Sequence, residues 1–189
     1  MNSSLILASA SPRRKELLEL LQLPFEVIVS EVEEVVDENL HPAEMVQSLA
    51  QQKAESVAKT YQHAYVLGSD TLVVFQGQML GKPKNEKEAI EMLSMLSGKT
   101  HEVYTGVSIV HNGNHHSFCE KTSVTFYSLT QREIEEYVNT KEPMDKAGAY
   151  GIQGFGALLV KEIKGDYYAV MGLPIARTKR ELIHAGLKW

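Results

Sequence analysis

The order of the apolar segments is the feature of this sequence that most constrains its fold. Residues 5–8 and 25–29 are short apolar runs typical of strands, and between them Ser11 and Pro12 predict the start of a helix. A longer helix is predicted over residues 42–59, where apolar side chains recur on one stripe. Strands that alternate with helices in this way indicate an α/β domain.

A β-hairpin is predicted in the middle of the chain. Asn112 and Gly113 separate two strand-like segments, residues 103–110 and 117–126, and this dipeptide favours the tight turn of a hairpin. A hairpin adds an antiparallel pair to the strands of the first half. We therefore predict one domain over residues 1–189, of class α/β, with a mixed β-sheet flanked by helices.

The composition disfavours several classes of protein. The chain has 189 residues and a net charge of −5, which makes it a poor non-specific nucleic-acid binder because such binding depends on Lys and Arg. Cys119 is the only cysteine, which excludes a disulfide framework. The residues after Met1 lack the pattern of a signal peptide, and no apolar run is long enough to span a membrane. We expect a cytoplasmic protein.

The segment SASPRR, from Ser9 to Arg14, is the first candidate for an anion site. A strand followed by a helix N-terminus directs free backbone N–H groups toward one point, where the helix dipole adds partial positive charge. Arg13 and Arg14 oppose that dipole, but their planar guanidinium groups suit phosphate oxygens. The alternative from this segment alone is a capped surface helix with two solvated arginines.

Asp70 is the candidate catalytic carboxylate. It lies in a short connection that we predict between strands at residues 64–68 and 72–75. Ligands of α/β proteins bind at the carboxyl ends of strands, where a carboxylate can hold a hard cation or activate water. The alternative is a turn aspartate that caps its own backbone.

Two lysines and an acidic run could complete a charged site. Lys53 interrupts the apolar stripe of the long predicted helix, and Lys82 lies in a Gly-Lys-Pro turn. Taken alone, each lysine is explained by solvation, with Lys53 snorkelling to water. The acidic run ends in Glu33 and Glu34, and a second carboxylate is what Mg²⁺ would take beside Asp70. The alternative is a solvated acidic surface.

The segment of residues 145–154 is rich in glycine and irregular. Its glycines allow the backbone to approach a ligand closely. Gln153 offers both a donor and an acceptor, so it could recognise the edge of a base. The alternative is a loop with a purely structural role.

Taken together, these segments resemble the Maf family of nucleoside triphosphate pyrophosphatases. The resemblance spans nearly the whole chain, and the matching stretches occur in the family's order. The most specific stretch is KEPMDKAGAYGIQG at residues 141–154. The others are SASPRR at 9–14, GSDT at 68–71, GKP at 81–83, GDYY at 165–168 and VMGLP at 170–174.

The resemblance implies a fold and a reaction. The fold would be an elongated, two-lobed α/β domain of the Maf and Ham1 ITPase type, with a mixed sheet and a central cleft. The reaction would be attack of water on the α-phosphorus of a nucleoside triphosphate, which releases pyrophosphate and leaves a nucleoside monophosphate. A divalent cation, Mg²⁺ or Mn²⁺, is the implied cofactor.

The resemblance also assigns roles to individual residues. Asp70 matches the family's general base and is in addition a candidate metal ligand. Glu34 matches an acidic family position better than Glu33, which stays as the alternative metal ligand. The positions that match phosphate-binding residues are Ser9, Arg13, Arg14, Lys53 and Lys82.

Arg13, Thr71 and Gln153 indicate a subgroup of the family. Members that look like dTTP/UTP pyrophosphatases carry SPRR, DT and GIQG, as this chain does. Relatives of the 7-methyl-GTP type carry tryptophan, glutamine and glutamate at these three positions. One departure is Ser69, where relatives often have alanine, and we expect it to have little effect.

Other functions stay open at the level of the sequence. The main alternative is a non-enzymatic regulator of septum formation in cell division, which would act through a protein or nucleic-acid partner. A phosphatase that removes only the terminal phosphate is a third hypothesis. The implied partner of the enzyme is a small nucleoside triphosphate rather than a membrane, and a homodimer is an open alternative. Clearing noncanonical pyrimidine nucleotides is one purpose that the family suggests.

Overall fold

The structure is a computed structural model that describes residues 4–37 and 39–188. Residues 1–3, which belong to the predicted N-terminus without a signal peptide, lie outside the described residues. The strands are β1 (Leu5–Leu7), β2 (Phe25–Val27), β3 (Tyr65–Phe75), β4 (Gln78–Leu80), β5 (Thr100–His111), β6 (Asn114–Phe126) and β7 (Val160–Lys164). The helices are α1 (Pro12–Glu19), α2 (Pro42–Ala58), α3 (Glu86–Leu96), α4 (Gln131–Asn139), α5 (Tyr167–Met171) and α6 (Ile175–His184).

The seven strands form one mixed sheet in the order β2-β1-β3-β5-β6-β7, with β4 attached to β3. β1 runs parallel to β2 and β3, whereas β3 and β4 pair antiparallel, as do β6 and β7. Asn112 and Gly113 have φ values of 49° and 78° between β5 and β6, so the predicted hairpin turn is confirmed. The predicted mixed α/β class is confirmed as well.

The two strands predicted around Asp70 are one continuous strand, β3, so the predicted break was wrong. Ser, Asp and Thr favour turns when only local sequence is considered. Here the strand is held by sheet pairing at both ends, parallel to β1 at Leu5↔Tyr65 and antiparallel to β4 at Val73↔Leu80. Tertiary pairing therefore overrides the local turn preference, and Asp70 lies inside a strand rather than after one.

The caps of α3 and α4 can be compared with the sequence. Thr130 and Glu133 have the sequence spacing of a capping box, and they form one at α4, where each side chain bonds to the backbone N–H of the other residue. Asn85 and Glu88 have the same spacing at α3, and Asn85 accepts from the backbone N–H of Glu88 at 2.9 Å. The carboxylate of Glu88 instead accepts from the backbone N–H of Lys84 at 2.8 Å, so this box is only half formed.

Residue contacts divide the chain into two compact units. The first unit contains Met1–Asp70, Thr105–Glu120 and Gly172–Trp189, and the second contains Thr71–Tyr104 and Lys121–Met171. Each unit has its own apolar core of buried side chains. The prediction of a single domain stays a prediction. Among residues 4–37 and 39–188, no helix combines the length and apolar character that crossing a bilayer requires.

Candidate active site

Two carboxylates and a lysine meet in the first unit. The Nζ atom of Lys53, on α2, lies 2.5 Å from Oδ1 of Asp70 on β3 and 3.2 Å from Oε1 of Glu34. The side chains of Lys53 and Asp70 are only 16% and 15% exposed, and that of Glu34 is 39% exposed. These ion pairs, rather than snorkelling to water, explain why a lysine occupies the apolar stripe of the helix.

Close packing of α2 against β3 brings these groups together. A Cβ atom on Gly68 would lie 2.1 Å from the carbonyl oxygen of Ala50, so only glycine allows the helix to approach the strand this closely. Asp70 follows Gly68 by two residues and therefore lies on the same face of the strand. Lys53 follows Ala50 by three residues and therefore lies on the same side of the helix. The close contact between helix and strand therefore brings the ammonium group of Lys53 within hydrogen-bonding distance of the Asp70 carboxylate.

Arg14 is a further cation of this site, at the start of α1. Its Nε atom donates to the carbonyl oxygen of Gly172 at 2.9 Å, and its Nη1 atom donates to Oγ of Ser9 at 3.4 Å. Burial lowers the pKa of the Arg14 guanidinium, whereas the charge of Asp70 raises it and that of Arg13 lowers it. Arg14 therefore shares an electrostatic neighbourhood with the proposed base.

Ser9 and Ser11 shape the turn between β1 and α1. Ser9 is 8% exposed, and its Oγ atom accepts from the backbone N–H of Ser11 at 3.2 Å. Ser11 occupies the N-cap position with an extended backbone, but its side chain makes no cap hydrogen bond, so the predicted side-chain cap is absent there. The turn instead depends on the buried hydroxyl of Ser9, which also contacts Arg14.

Ser69 has a role that the sequence did not indicate. Its side chain is fully buried, and Oγ lies 3.0 Å from the carbonyl oxygen of Gly106 and 2.8 Å from that of Gly172. The Gly172 carbonyl is also the acceptor for Arg14. Ser69 therefore links β3 to the group that orients the arginine. The one signal available in the sequence was that Gly172 lies in a stretch, VMGLP, that matches the family.

The site residues predicted from the sequence are divided between the two units. The first unit contains Ser9, Arg13, Arg14, Glu33, Glu34, Lys53 and Asp70. In the second unit, Thr71 and Gln153 are half-buried, and Lys82 is exposed. The carbonyl oxygen of Gly81, next to Lys82, accepts from the backbone N–H of Gly148 at 3.0 Å. The roles of these residues in binding and catalysis stay predictions.

Comparison with known proteins supports the resemblance found in the sequence. A family model described as Maf-like protein matches residues 4–185. The chain belongs to the Maf family. A Bacillus cytotoxicus protein named dTTP/UTP pyrophosphatase is 59% identical to this chain over 177 residues, which covers 94% of this chain and 93% of that protein. Proteins of the same name from Bacillus mycoides and Bacillus cereus are 58% identical over 178 residues, with the same coverage of 94% and 93%.

A solved structure is also similar to this Maf-family chain. It is the structure of the Staphylococcus aureus Ham1 protein, which is 19% identical and superposes with a TM-score of 0.49. The match covers 82% of this chain and 78% of that chain. This likeness is weaker than the likeness to the three Bacillus proteins.

The carboxylates of this Maf-family site suit a hard divalent cation. In the part of the chain that the structure describes, no group of three or more His, Cys, Asp or Glu side chains could hold a metal ion by itself. Mg²⁺, however, commonly takes one or two carboxylates and completes its coordination with phosphate oxygens and water. A cationic nitrogen, Nζ of Lys53, already lies within 3.2 Å of oxygens from both Asp70 and Glu34. The carboxylate oxygens of Asp70 and Glu34 therefore fit a divalent cation. Of the two adjacent glutamates, it is Glu34 that contacts Lys53.

Proposed function

We propose that this chain hydrolyses dTTP and UTP to the nucleoside monophosphate and pyrophosphate. The observation that carries the proposal is the cluster of Asp70, Lys53 and Glu34. It occurs in a Maf-family chain whose relatives at 58–59% identity are named dTTP/UTP pyrophosphatase. An acidic group beside several cations is the arrangement that a water attack on a phosphorus atom requires.

Binding of the triphosphate is assigned to the cationic side chains. A triphosphate carries about four negative charges near neutral pH, so several cations are needed to hold it and to offset charge that develops on the leaving pyrophosphate. The guanidinium of Arg14 can donate to phosphate oxygens in a geometry that its contact with Gly172 helps to set. The other side chains that we assign to phosphate are Ser9, Arg13, Lys53 and Lys82.

Asp70 is assigned as the general base. Its Oδ1 atom is bonded to Lys53, so Oδ2 would be the oxygen that accepts a proton from the attacking water. The half-buried ion pair orients the carboxylate before the ligands bind, which favours a defined direction of attack. Lys53 would in turn be near enough to the reacting phosphate to offset its negative charge.

Asp70 and Glu34 would hold the divalent cation, Mg²⁺ or Mn²⁺, with Glu33 as the alternative to Glu34. When bound, the ion would acidify the attacking water and neutralise phosphate charge. Their oxygens are hard ligands of the kind that both ions accept.

Arg13, Thr71 and Gln153 are assigned to substrate selection. Gln153 can both donate to and accept from a base edge, and a pyrimidine such as uracil or thymine offers both partners. A small nucleoside triphosphate is therefore the proposed partner. A cytoplasmic location, a homodimer, a role in clearing noncanonical nucleotides and the alternative role in septum formation stay predictions.

A panel of nucleoside triphosphates tests the proposal. The protein is incubated with UTP, dTTP, CTP or GTP, with and without Mg²⁺, and the products are separated. We expect pyrophosphate with UMP or TMP, strongest for UTP and dTTP and dependent on the metal. UDP with orthophosphate would instead indicate a terminal phosphatase. Absence of hydrolysis under every condition would contradict the proposal and favour the regulatory alternative.

A further inference from the structure

The carboxylate of Glu142 lies against the loop that contains Gln153. Glu142 begins a short 3₁₀ helix, Glu142–Asp145, in the second unit. Its Oε1 atom accepts from Oη of Tyr137 at 2.9 Å and from the backbone N–H of Gly156 at 3.1 Å. Its Oε2 atom accepts from the backbone N–H of Phe155 at 3.0 Å. One side chain thus binds the backbone just after Gln153.

Tyr137 extends this contact to the other side of Gln153. Its Oη atom accepts from the backbone N–H of Gly151 at 3.0 Å while it donates to Glu142. Burial raises the pKa of the Tyr137 hydroxyl, so the group keeps the proton that it donates. Glu142, Tyr137 and the backbone N–H groups of residues 151, 155 and 156 form what we call the Glu142 clamp.

Two glycines allow the clamp to close on the backbone. Gly154 has a φ of 60°, and a Cβ atom there would lie 2.6 Å from Oε2 of Glu142. A Cβ atom on Gly156 would lie 2.0 Å from the carbonyl oxygen of Gly151, so the two arms of the loop are in direct contact. The backbone of residues 152–154 is therefore fixed at both ends.

The side chain of Gln153 starts from this clamped backbone. The residue is half-buried, with φ and ψ of −104° and 176°. No side-chain hydrogen bond within the described part of the chain holds its amide group. Ile152, the residue before it, is 5% exposed and anchors that side of the loop in the core. The clamped main chain thus fixes the position of Gln153 and the direction of its Cα–Cβ bond, from which the amide reaches the ligand.

We propose that Glu142 is a positioning residue that orients Gln153 for recognition of the pyrimidine base. The inference rests on the proposed function and extends it to a residue that does not touch the substrate. A carboxylate that accepts from backbone N–H groups makes stronger hydrogen bonds than a neutral acceptor. A recognition group held in its binding orientation loses less conformational entropy when the ligand binds.

Truncation of Glu142 should weaken recognition of the base without affecting the chemistry on phosphate. In the Glu142→Ala protein we expect kcat/KM for UTP to fall about tenfold, chiefly through KM, because the loop must be ordered on binding. Ribose 5′-triphosphate, which lacks a base, is the probe for the remaining site, and its kcat/KM should change less than about twofold. Glu142→Gln keeps one acceptor oxygen and should show an intermediate loss.

Three controls separate the possible outcomes. Glu135→Ala removes a carboxylate of α4 whose one hydrogen bond among the described residues is to the exposed side chain of Gln131, and it should behave as wild type. Glu142→Ala combined with Gln153→Ala should lose no more UTP activity than Gln153→Ala alone, because both changes remove the same interaction. If Glu142→Ala does not fold, the substrate comparison is made on Glu142→Gln.

The results distinguish this inference from the function on which it rests. Equal losses on UTP and ribose 5′-triphosphate would show that Glu142 is only structural and overturn the inference. Unchanged UTP activity in Glu142→Ala would overturn it too, while the pyrophosphatase assignment would stand. Absence of pyrophosphate release by the wild-type protein would overturn the proposed function and this inference together.

Discussion

The two units use carboxylates in opposite ways. In the first unit, Asp70 and Glu34 bond to the ammonium group of Lys53, at the end of a long side chain. In the second unit, Glu142 bonds mainly to the main chain, through the backbone N–H groups of Phe155 and Gly156. A side-chain partner can rearrange when a ligand arrives, whereas a backbone partner fixes the path of the chain. The carboxylates proposed to react, Asp70 and Glu34, thus have a side-chain partner that can move. The carboxylate proposed to orient the loop, Glu142, is bonded mainly to the main chain.

The strongest test of the first half of this comparison is Asp70→Asn. The amide keeps the size of the side chain but removes the proposed base and one proposed metal ligand, so we expect kcat for UTP to fall by about 10³-fold or more. Pyrophosphate release measures the loss, and circular dichroism checks that the protein is folded.

Glu26→Gln is the matched control for Asp70→Asn, because it removes an exposed carboxylate from β2 in the same unit. The control should retain wild-type turnover. Wild-type turnover in Asp70→Asn itself would mean that Asp70 is neither base nor essential ligand, and that the charged cluster of the first unit serves stability.

The second unit should be sensitive to acid through a buried histidine. His101 is 1% exposed, its Nε2 atom lies 2.7 Å from Oη of Tyr150, and its Nδ1 atom has no hydrogen-bond partner among the described residues. Burial lowers the pKa of His101 from 6.5 to about 4. Between these values the unfolded chain binds a proton that the folded protein does not, so the free energy of unfolding should fall as pH decreases.

The expected size of this effect is about 3 kcal/mol, fully present above pH ~6.5 and lost progressively as the pH falls toward ~4. Urea unfolding at several pH values measures it. His101→Gln cannot titrate but can still bond to Tyr150, so it should show a shallower decline than wild type. The exposed His115 provides the control, since His115→Gln should keep the wild-type slope. Equal slopes for all three proteins would exclude His101 as the source.

The smallest expected effect distinguishes the two adjacent glutamates. Glu34→Gln should raise the Mg²⁺ concentration needed for half-maximal activity about tenfold, because a proposed metal ligand loses its charge. Glu33→Gln should leave that concentration unchanged, since it is Glu34 that contacts Lys53. The reverse result would assign the metal-ligand role to Glu33 instead of Glu34. The ligand would then not be the glutamate that contacts Lys53.

Much of the fold could be predicted because its signals are local. The period of α2, the hairpin at Asn112 and the capping box at Thr130 each depend on neighbouring residues. The continuity of β3 through Asp70 could not be predicted, because it depends on strands that are distant in the chain. The short β4 and α5 were also missed, since three and five residues contain too little periodicity.

Candidate site residues could be predicted where the type of side chain itself indicates the chemistry. An aspartate, two arginines and a lysine out of place on an apolar stripe are recognisable in the sequence alone. Ser69 and Glu142 were not, because their partners are backbone groups that only the folded chain brings near. Contacts from a side chain to a remote main chain follow no spacing rule, so residues proposed to orient the site are harder to find than residues proposed to react.

The position of Lys53 has a consequence for the order in which ligands bind. Because this ammonium already pairs with both Asp70 and Glu34 and offsets one of their two negative charges, a divalent cation would have to compete with an internal counter-ion for the same oxygens. The released lysine would then be available to an anion, so metal and nucleotide should each increase the affinity for the other. Such thermodynamic coupling would make the resting protein a weak binder of either ligand alone and would limit unproductive capture of free magnesium.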